Sequence, residues 1–375
     1  MRTTAGHLKA TFVPGLSLAA STYHEAVRPI LDTAFPGLAH SAALLGPGSE
    51  VLGFDTARST DHDWGPRLQL FLRPADARQH ARDLSRVLAE RMPASVHGWS
   101  TSFSPVEPGR SRTLRAAGDA PVEHRVELLD LDTWLASRVG VDPRNDMHAR
   151  DWLAIPTQLL LEVTAGAVFH DGLGQLGPIR AALAWYPDDV WRYLLACQWR
   201  RIAQEEAFPG RCAENGDDLG SRLVTARLVR DLMRLASLIE RRYPPYSKWL
   251  GTAFAQLRCA PTLQPLLADA LAAADWPRRE DALCAAYEHL ARAHNELGLS
   301  EPVEPTVRPF HDRPFRVLAA DRFADATRRS VTDPQVSALP PHVGGVDQFV
   351  DSTDVLSAAA RARAVAAALH PLRPA

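Results

Sequence analysis

The hydrophobic pattern changes period once along this chain, near Asp142-Pro143, and that change constrains the fold more than any other feature. Before it, helical and extended stretches alternate. Residues 16–34 place Leu16, Leu18, Ala19, Tyr23, Ala26, Val27, Ile30 and Leu31 on one helical stripe. HSAALLG and RLQLFLR read as strands, the second through the alternation of Leu68, Leu70 and Leu72. PADARQHARDLSRVLAERM opens with Pro at a first-turn position and continues as an amphipathic helix. Residues 99–121, rich in Ser, Pro, Gly and Arg, read as an excursion or mobile loop, and EHRVELLDL returns to strand character.

After the change, from Asp151 to about Gly298, the spacing is helical almost throughout. DWLAIPTQLLLEVTAGAVFH, DDVWRYLLACQWRRIAQEEAF, GSRLVTARLVRDLMRLASLIERRY and REDALCAAYEHLARAHNEL carry it, with Pro and Gly punctuation between them. The pattern predicts an α+β protein: a small mixed sheet with helices over residues 1–142, an α-helical bundle over 143–300, and a Pro-rich extension ending in a helix over 301–375.

Length and composition bound the function. A chain of 375 residues with 46% apolar and 23% charged residues can bury two or three cores. A formal charge of −2 argues against a general nucleic-acid binder, which would carry a basic face. Cys197, Cys212, Cys259 and Cys284 are widely spaced and form no C-x-x-C pair, so free thiols in a reducing, cytoplasmic setting are expected. MRTTAGHLKATFVPG lacks an apolar h-region, and no run approaches 18 apolar residues, so neither export nor membrane spanning is expected.

The chemistry concentrates in GPGSEVLGFDTARSTDHDWGPRLQLFL. Asp61 and Asp63 stand two residues apart at the mouth of a strand, where an extended backbone would point both to one face. Two anions so placed repel unless a cation lies between them; the plain alternative is a solvated turn whose aspartates cap their own backbone. Gly48-Ser49 precedes them by about a dozen residues. Glu127, between Val126 and Leu128, offers a third carboxylate, with Glu123, Asp130 and Asp132 as competitors.

A Gly-Ser turn, an Asp-x-Asp strand and a third acid on a neighbouring strand resemble the nucleotidyltransferase superfamily of the DNA polymerase β type. GSEVLGFDTARSTDHDWGPRLQLFL and LIERRYPPYSKWLGTAF together resemble the bacterial family DUF4037, over most of residues 15–325, in a plan similar to aminoglycoside adenylyltransferases. The resemblance implies that Asp61, Asp63 and Glu127 are catalytic and hold Mg²⁺, two ions being expected. It also implies that Gly48 and Ser49 approach a phosphate of ATP or another NTP. Such transfer is mostly positioning and charge neutralisation at the α-phosphorus, and Mg²⁺ shares the nucleotide's own oxygens. His62 departs from the pattern, standing where an apolar residue is usual.

In the helical half, Arg227, Asp231 and Arg234 share a helix face, with Arg230 beside them. They form either a self-paired stripe or a site where cations meet a triphosphate and a carboxylate holds the acceptor. The only lysines are Lys9 and Lys248, and Lys248, in YPPYSKW, suits a point-charge phosphate contact. Tyr246 and Trp249 suit either base stacking or core packing. Glu205 and Glu206 suit acceptor binding or capping, and Glu162 a core pair or a cleft position. The expected function is transfer of a nucleoside monophosphate, AMP from ATP, to a small-molecule hydroxyl; small acceptors are favoured because no basic patch is present. The alternatives are a catalytically inactive nucleotide-binding or interaction protein, or a modifier of protein or tRNA. A phosphohydrolase reading of the His-Asp dipeptides at His170 and His311 lacks supporting ligands.

Overall fold

The computed structural model describes residues 11–116 and 121–370. It divides into two compact units. One holds the described residues up to Asn145 together with Leu161–Ala184; the other holds Asp146–Leu160 and the described residues from Trp185 onward. The α+β character is as expected, but the partition is not a single cut at 142/143, because the chain returns to the first unit.

That return is made by a strand. AVFHD, expected to continue a helix, forms an edge strand at Ala167–Asp171. Gly166 ends the preceding helix with φ +68, and its N–H donates to the Val51 carbonyl. A Cβ there would run into the Leu44 carbonyl, so only glycine lets the chain turn into the sheet.

The sheet has four strands, β1 (His40–Leu44), β2 (Arg67–Leu72), β3 (Arg125–Asp130) and β4 (Ala167–Asp171), in the order β3-β2-β1-β4. β1 runs antiparallel to both β2 and β4, while β3 lies parallel to β2. Parallel pairing requires a crossover, supplied by helix α1 (Pro74–Arg91) and the hairpin region that follows it. Leu68, Leu70 and Leu72 share a core with Tyr23 and Val27, from the helical stretch 15–34, and with Leu84 and Leu88 from α1. The alternation along β2 does not mark a wet face, for all six residues are buried. Phe71, on the other side, meets Trp134 of helix α2 (Leu131–Arg138) edge-on at 5.4 Å. Each such apolar side chain contributes roughly 1.5–3 kcal/mol on burial.

In the second unit the long helices are α3 (Asp188–Glu205), α4 (Asp218–Ile239) and α5 (Trp276–Glu296). The Pro-rich region expected to form an extension is part of this packing. Helix α6 (Asp321–Arg329) stacks Phe323 on Trp199 of α3 at 4.8 Å. His294 of α5 joins them: Trp199 Nε1 donates to His294 Nδ1 (3.1 Å), and its Nε2 faces the Thr327 hydroxyl at 3.1 Å. An indole N–H can only donate, so Nδ1 is the acceptor and Nε2 carries the proton. Burial keeps this imidazole neutral, pushing its pKa down to about 4. A terminal helix, α7 (Ala359–Leu369), closes the described chain. The four cysteines are free thiols; Cys197 and Cys284 are buried.

Candidate active site

The loop from β1 to β2 is built around a buried ion pair. Arg67 donates from Nε to Glu50 Oε1 at 2.7 Å and from Nη2 to the Pro47 carbonyl at 2.8 Å. Both side chains are almost wholly buried. Gly48 is required beside them: its φ is +149, and a Cβ would overlap the Arg67 guanidinium. Ser49 begins the next turn, its carbonyl accepting the Phe54 N–H at 2.8 Å. Further along, Asp55 accepts from the Gly15 N–H (2.7 Å) and from Trp64 Nε1 (2.9 Å), pinning the loop at a second point. Gln69 binds both the N–H and the carbonyl of Leu45, at 2.9 Å each, where β1 ends.

Between these anchors lie the two aspartates, and their backbone is not extended. Asp61 closes a 3₁₀ turn, Ala57–Asp61, and Asp63 has φ +49, four residues before β2 begins. The one-face geometry expected of a strand mouth is therefore replaced by a turn. Asp61 is exposed, with His62 Nδ1 at 2.8 Å from its carboxylate. Asp63 is held: its N–H donates to the Arg112 carbonyl (2.8 Å), its Oδ1 accepts the Arg112 N–H (3.2 Å), and Arg125 Nη1 lies 2.7 Å from that oxygen. These bonds and the Arg125 charge outweigh the cost of burial and draw the carboxyl below its ordinary pKa.

Arg112 and Arg125 both lie over the Phe103 ring, at 5.5 and 5.7 Å. The stretch expected to be a mobile loop thus contributes a fixed hairpin, Ser102–Phe103 against Leu114–Arg115; residues 117–120 of it lie outside the described residues. Glu127 sits on β3 opposite Gln69 and is exposed. Burial and Arg125 lower the Arg112 pKa, while the charges of Glu123, Asp63 and Glu127 act against them. The other competitors have separate work. Asp130 caps α2 by accepting the Thr133 N–H at 2.8 Å, and Asp132 pairs with Arg144 at 2.5 Å.

The oxygen donors of Asp61, Asp63 and Glu127 are of the kind Mg²⁺ takes, but their arrangement does not form the expected centre. Among the described residues, no three His, Cys, Asp or Glu side chains gather as a cation site requires. Asp61 points to His62 and Asp63 to Arg125 instead. Sequence reading missed Arg112, Arg125, Glu50 and Arg67. The available signal for the last two was a lone Glu beside Val51 and Leu52 and an Arg opening the apolar strand RLQLFL.

The first unit also holds Glu162, placed in the helical half by its sequence. In the second unit, the charged face of α4 is paired. Arg227 makes a two-pronged contact with Glu205 (3.0 and 2.6 Å), and Arg230 pairs with Asp351 (2.9 Å). The buried Asp231 pairs with Arg201 (3.2 Å), and Arg234 donates to the Asp347 carbonyl (2.8 Å). Arg201 also donates to the Gln348 carbonyl, so this cluster grips the segment 347–351. Glu206 takes the capping role, accepting from the Leu318 and Ala320 N–H groups at 2.7 and 2.9 Å. Lys248 is exposed, its ammonium 4.9 Å from the Trp249 ring centre. Glu162 is buried, and its carbonyl accepts the Gly46 N–H at 2.8 Å.

Residues 152–250 match a family model described as "Domain of unknown function (DUF4037)". That stretch carries β4, α3, all of α4, and the four residues Arg227, Arg230, Asp231 and Lys248. It bears out the DUF4037 resemblance over those residues. No curated protein matches the chain. Among the described residues, no helix is long and apolar enough to cross a membrane.

Proposed function

We propose that this protein binds a nucleoside triphosphate and transfers its nucleoside monophosphate, AMP from ATP, to a hydroxyl of a small molecule. The observation that carries the reading is the order β3-β2-β1, with a Gly48-Ser49 turn and Asp61 and Asp63 in one connection and Glu127 on the strand parallel to β2. That order of elements supports a nucleotidyltransferase-type reading at the level of topology, although the three carboxylates do not converge. Charge builds on phosphate oxygens during an in-line displacement, and preorganised cations are the means of stabilising it. Arg112 and Arg125, braced on Phe103, supply two such cations. A phosphate oxygen competing with Asp63 for the Arg125 guanidinium would exchange one charge-assisted contact for another. The exposed Glu127 carboxylate is the group suited to accept the hydroxyl proton. Mg²⁺ remains part of the proposal as the nucleotide's counter-ion, carried on its phosphates; Asp61, Asp63 and Glu127 do not converge on a cation here, and the two aspartates would reach it only by leaving His62 and Arg125. Gly48 and Ser49 are assigned to a phosphate. Lys248, Arg227, Arg230 and Asp231 belong to the other unit, where Arg227, Arg230 and Asp231 would meet a ligand only by giving up the ion pairs they hold.

A second reading, a nucleotide-binding module without catalysis, is favoured by the neutralisation of Asp63 by Arg125. Calorimetric titration with ATP and the other NTPs, with and without Mg²⁺, tests both. Metal-dependent binding that is lost in the Asp61→Ala, Asp63→Ala double variant, with pyrophosphate released in the presence of a hydroxyl acceptor, supports transfer. Binding without pyrophosphate over a broad acceptor panel supports the second reading, and no nucleotide binding by the folded protein sinks both. A mass shift on a protein or tRNA would redirect the acceptor class.

A further inference from the structure

We propose a separate binding site for a small organic anion with an apolar body, in a cavity of about 810 Å³ within the second unit. The cavity lies between the helix Ala149–Ala154 and α7, and its volume falls in the range of small-molecule sites. Half of its lining is alanine, including Ala154 and, from α7, Ala364 and Ala367, leaving room that larger side chains would fill.

The polar groups select the charge. Arg363 donates to Asp151 at 3.2 Å from one nitrogen, while its other terminal nitrogen, Nη1, is buried without a partner. Among the described residues, the Arg150 guanidinium has no carboxylate partner, so the lining carries two cations against one acid. His370, only 4% exposed, also lines the cavity. Its Nε2 lies 2.8 Å from the Gly344 carbonyl, which can only accept, so Nε2 carries the proton and Nδ1 is left without a partner. A concave wall rich in alanine and an Arg150 guanidinium free of carboxylate partners among the described residues fit a carboxylate- or phosphate-headed molecule with a hydrocarbon body; Arg150 is the anion's contact, while His370 Nδ1 is an acceptor and takes no part in it.

The test is calorimetry on the full chain with octanoate, octyl phosphate and 1-octanol, which share a body and differ in head. At least one anion is expected to bind at one site, about tenfold or more tighter than the alcohol, and the preferred anion identifies the head group. Arg150→Gln is expected to weaken that anion about tenfold while leaving the alcohol unchanged, and Ala367→Phe to block all three. Thermal melts of both variants establish that they fold. Absence of binding by both anions, equal binding of anion and alcohol, or anion binding untouched by both substitutions would overturn the site. Nucleotide titration of Arg150→Gln is expected to match the unaltered chain, so failure here and failure of the nucleotide reading are distinguishable.

Discussion

The loop before β2 and the charged face of α4 use similar residues to opposite ends. In the loop the charges are divided: Glu50 and Arg67 are buried and hold the scaffold, while Asp61 is left outside with only His62 for company. On α4, Arg227, Arg230, Asp231 and Arg234 are each committed to a partner, two of those partners lying in the segment 347–351. A ligand reaching the loop meets a carboxylate that supports nothing else. One reaching α4 must first undo contacts that keep the second unit closed. Division of labour, more than the count of charges, makes the loop the better place for exchange with a ligand.

The comparison breaks most severely at the buried pair. Glu50→Ala leaves the Arg67 guanidinium uncompensated in the core and is expected to cost about 3–5 kcal/mol, read by chemical denaturation. A loss below about 1 kcal/mol would mean that the loop is not held by this pair. Glu206 provides the counterpart in the second unit, a buried acid with backbone N–H partners and, among the described residues, no cation. Burial, opposed by its bonds to Ala320 and Leu318, pushes its pKa up to about 7. Because the folded value exceeds the unfolded one, the stabilisation is full below about pH 4.3 and is lost as pH rises through 7. Relative to Glu206→Gln, the unaltered chain should gain on the order of 3 kcal/mol between pH 8 and pH 4. A pH-independent difference between the two would refute that assignment.

Much of the scaffold was legible because local pattern and tertiary packing agree. The period-two run Leu68, Leu70, Leu72 is a strand, and the Pro74 helix starts at its proline. What escaped was decided at a distance. Ala167–Asp171 continues a helical-looking segment, yet Gly166 turns it toward the β1 edge far earlier in the chain, where Ala167 pairs with Leu44 and Asp171 with Ser41, information that no local window contains. The acids were visible as residue types, and the cap at Asp130 and the pair at Asp132 leave Glu127 as the uncommitted strand carboxylate. Their geometry was not visible, because Asp63 takes its left-handed turn from bonds to Arg112, nearly fifty residues away. The pairing of α4 was likewise hidden: its partners come from α3 and from the segment 347–351.

A smaller change sharpens the comparison within the loop. Asn tolerates the positive φ of Asp63, so Asp63→Asn removes charge while keeping the turn. The side chain is 41% exposed, and solvent screening limits the expected loss to about 1 kcal/mol at pH 7. The folded pKa is lowered, so this stabilisation is present above the unfolded value near 3.9 and disappears as pH falls below it. The deficit of the variant should therefore vanish in acid. An undiminished deficit at pH 2.5 would assign it to the turn and not to the Arg125 pair.

Asp61→Ala carries the smallest expected stability change and the sharpest functional one. The side chain is 60% exposed and, among the described residues, its one ionic contact is with the neighbouring His62, so its removal should alter stability by no more than about 0.5 kcal/mol. If the loop is the nucleotide site, the same substitution should weaken Mg²⁺-dependent ATP binding by tenfold or more, since a charge-assisted ligand is lost without a structural substitute. A variant that melts like the unaltered chain but no longer binds ATP would separate ligand chemistry from scaffold at a single residue. Unchanged binding would show that the exposed carboxylate is a solvated turn residue, and would shift the search for ligands toward Arg112, Arg125 and Glu127, which hold their charges together on the neighbouring strand and hairpin.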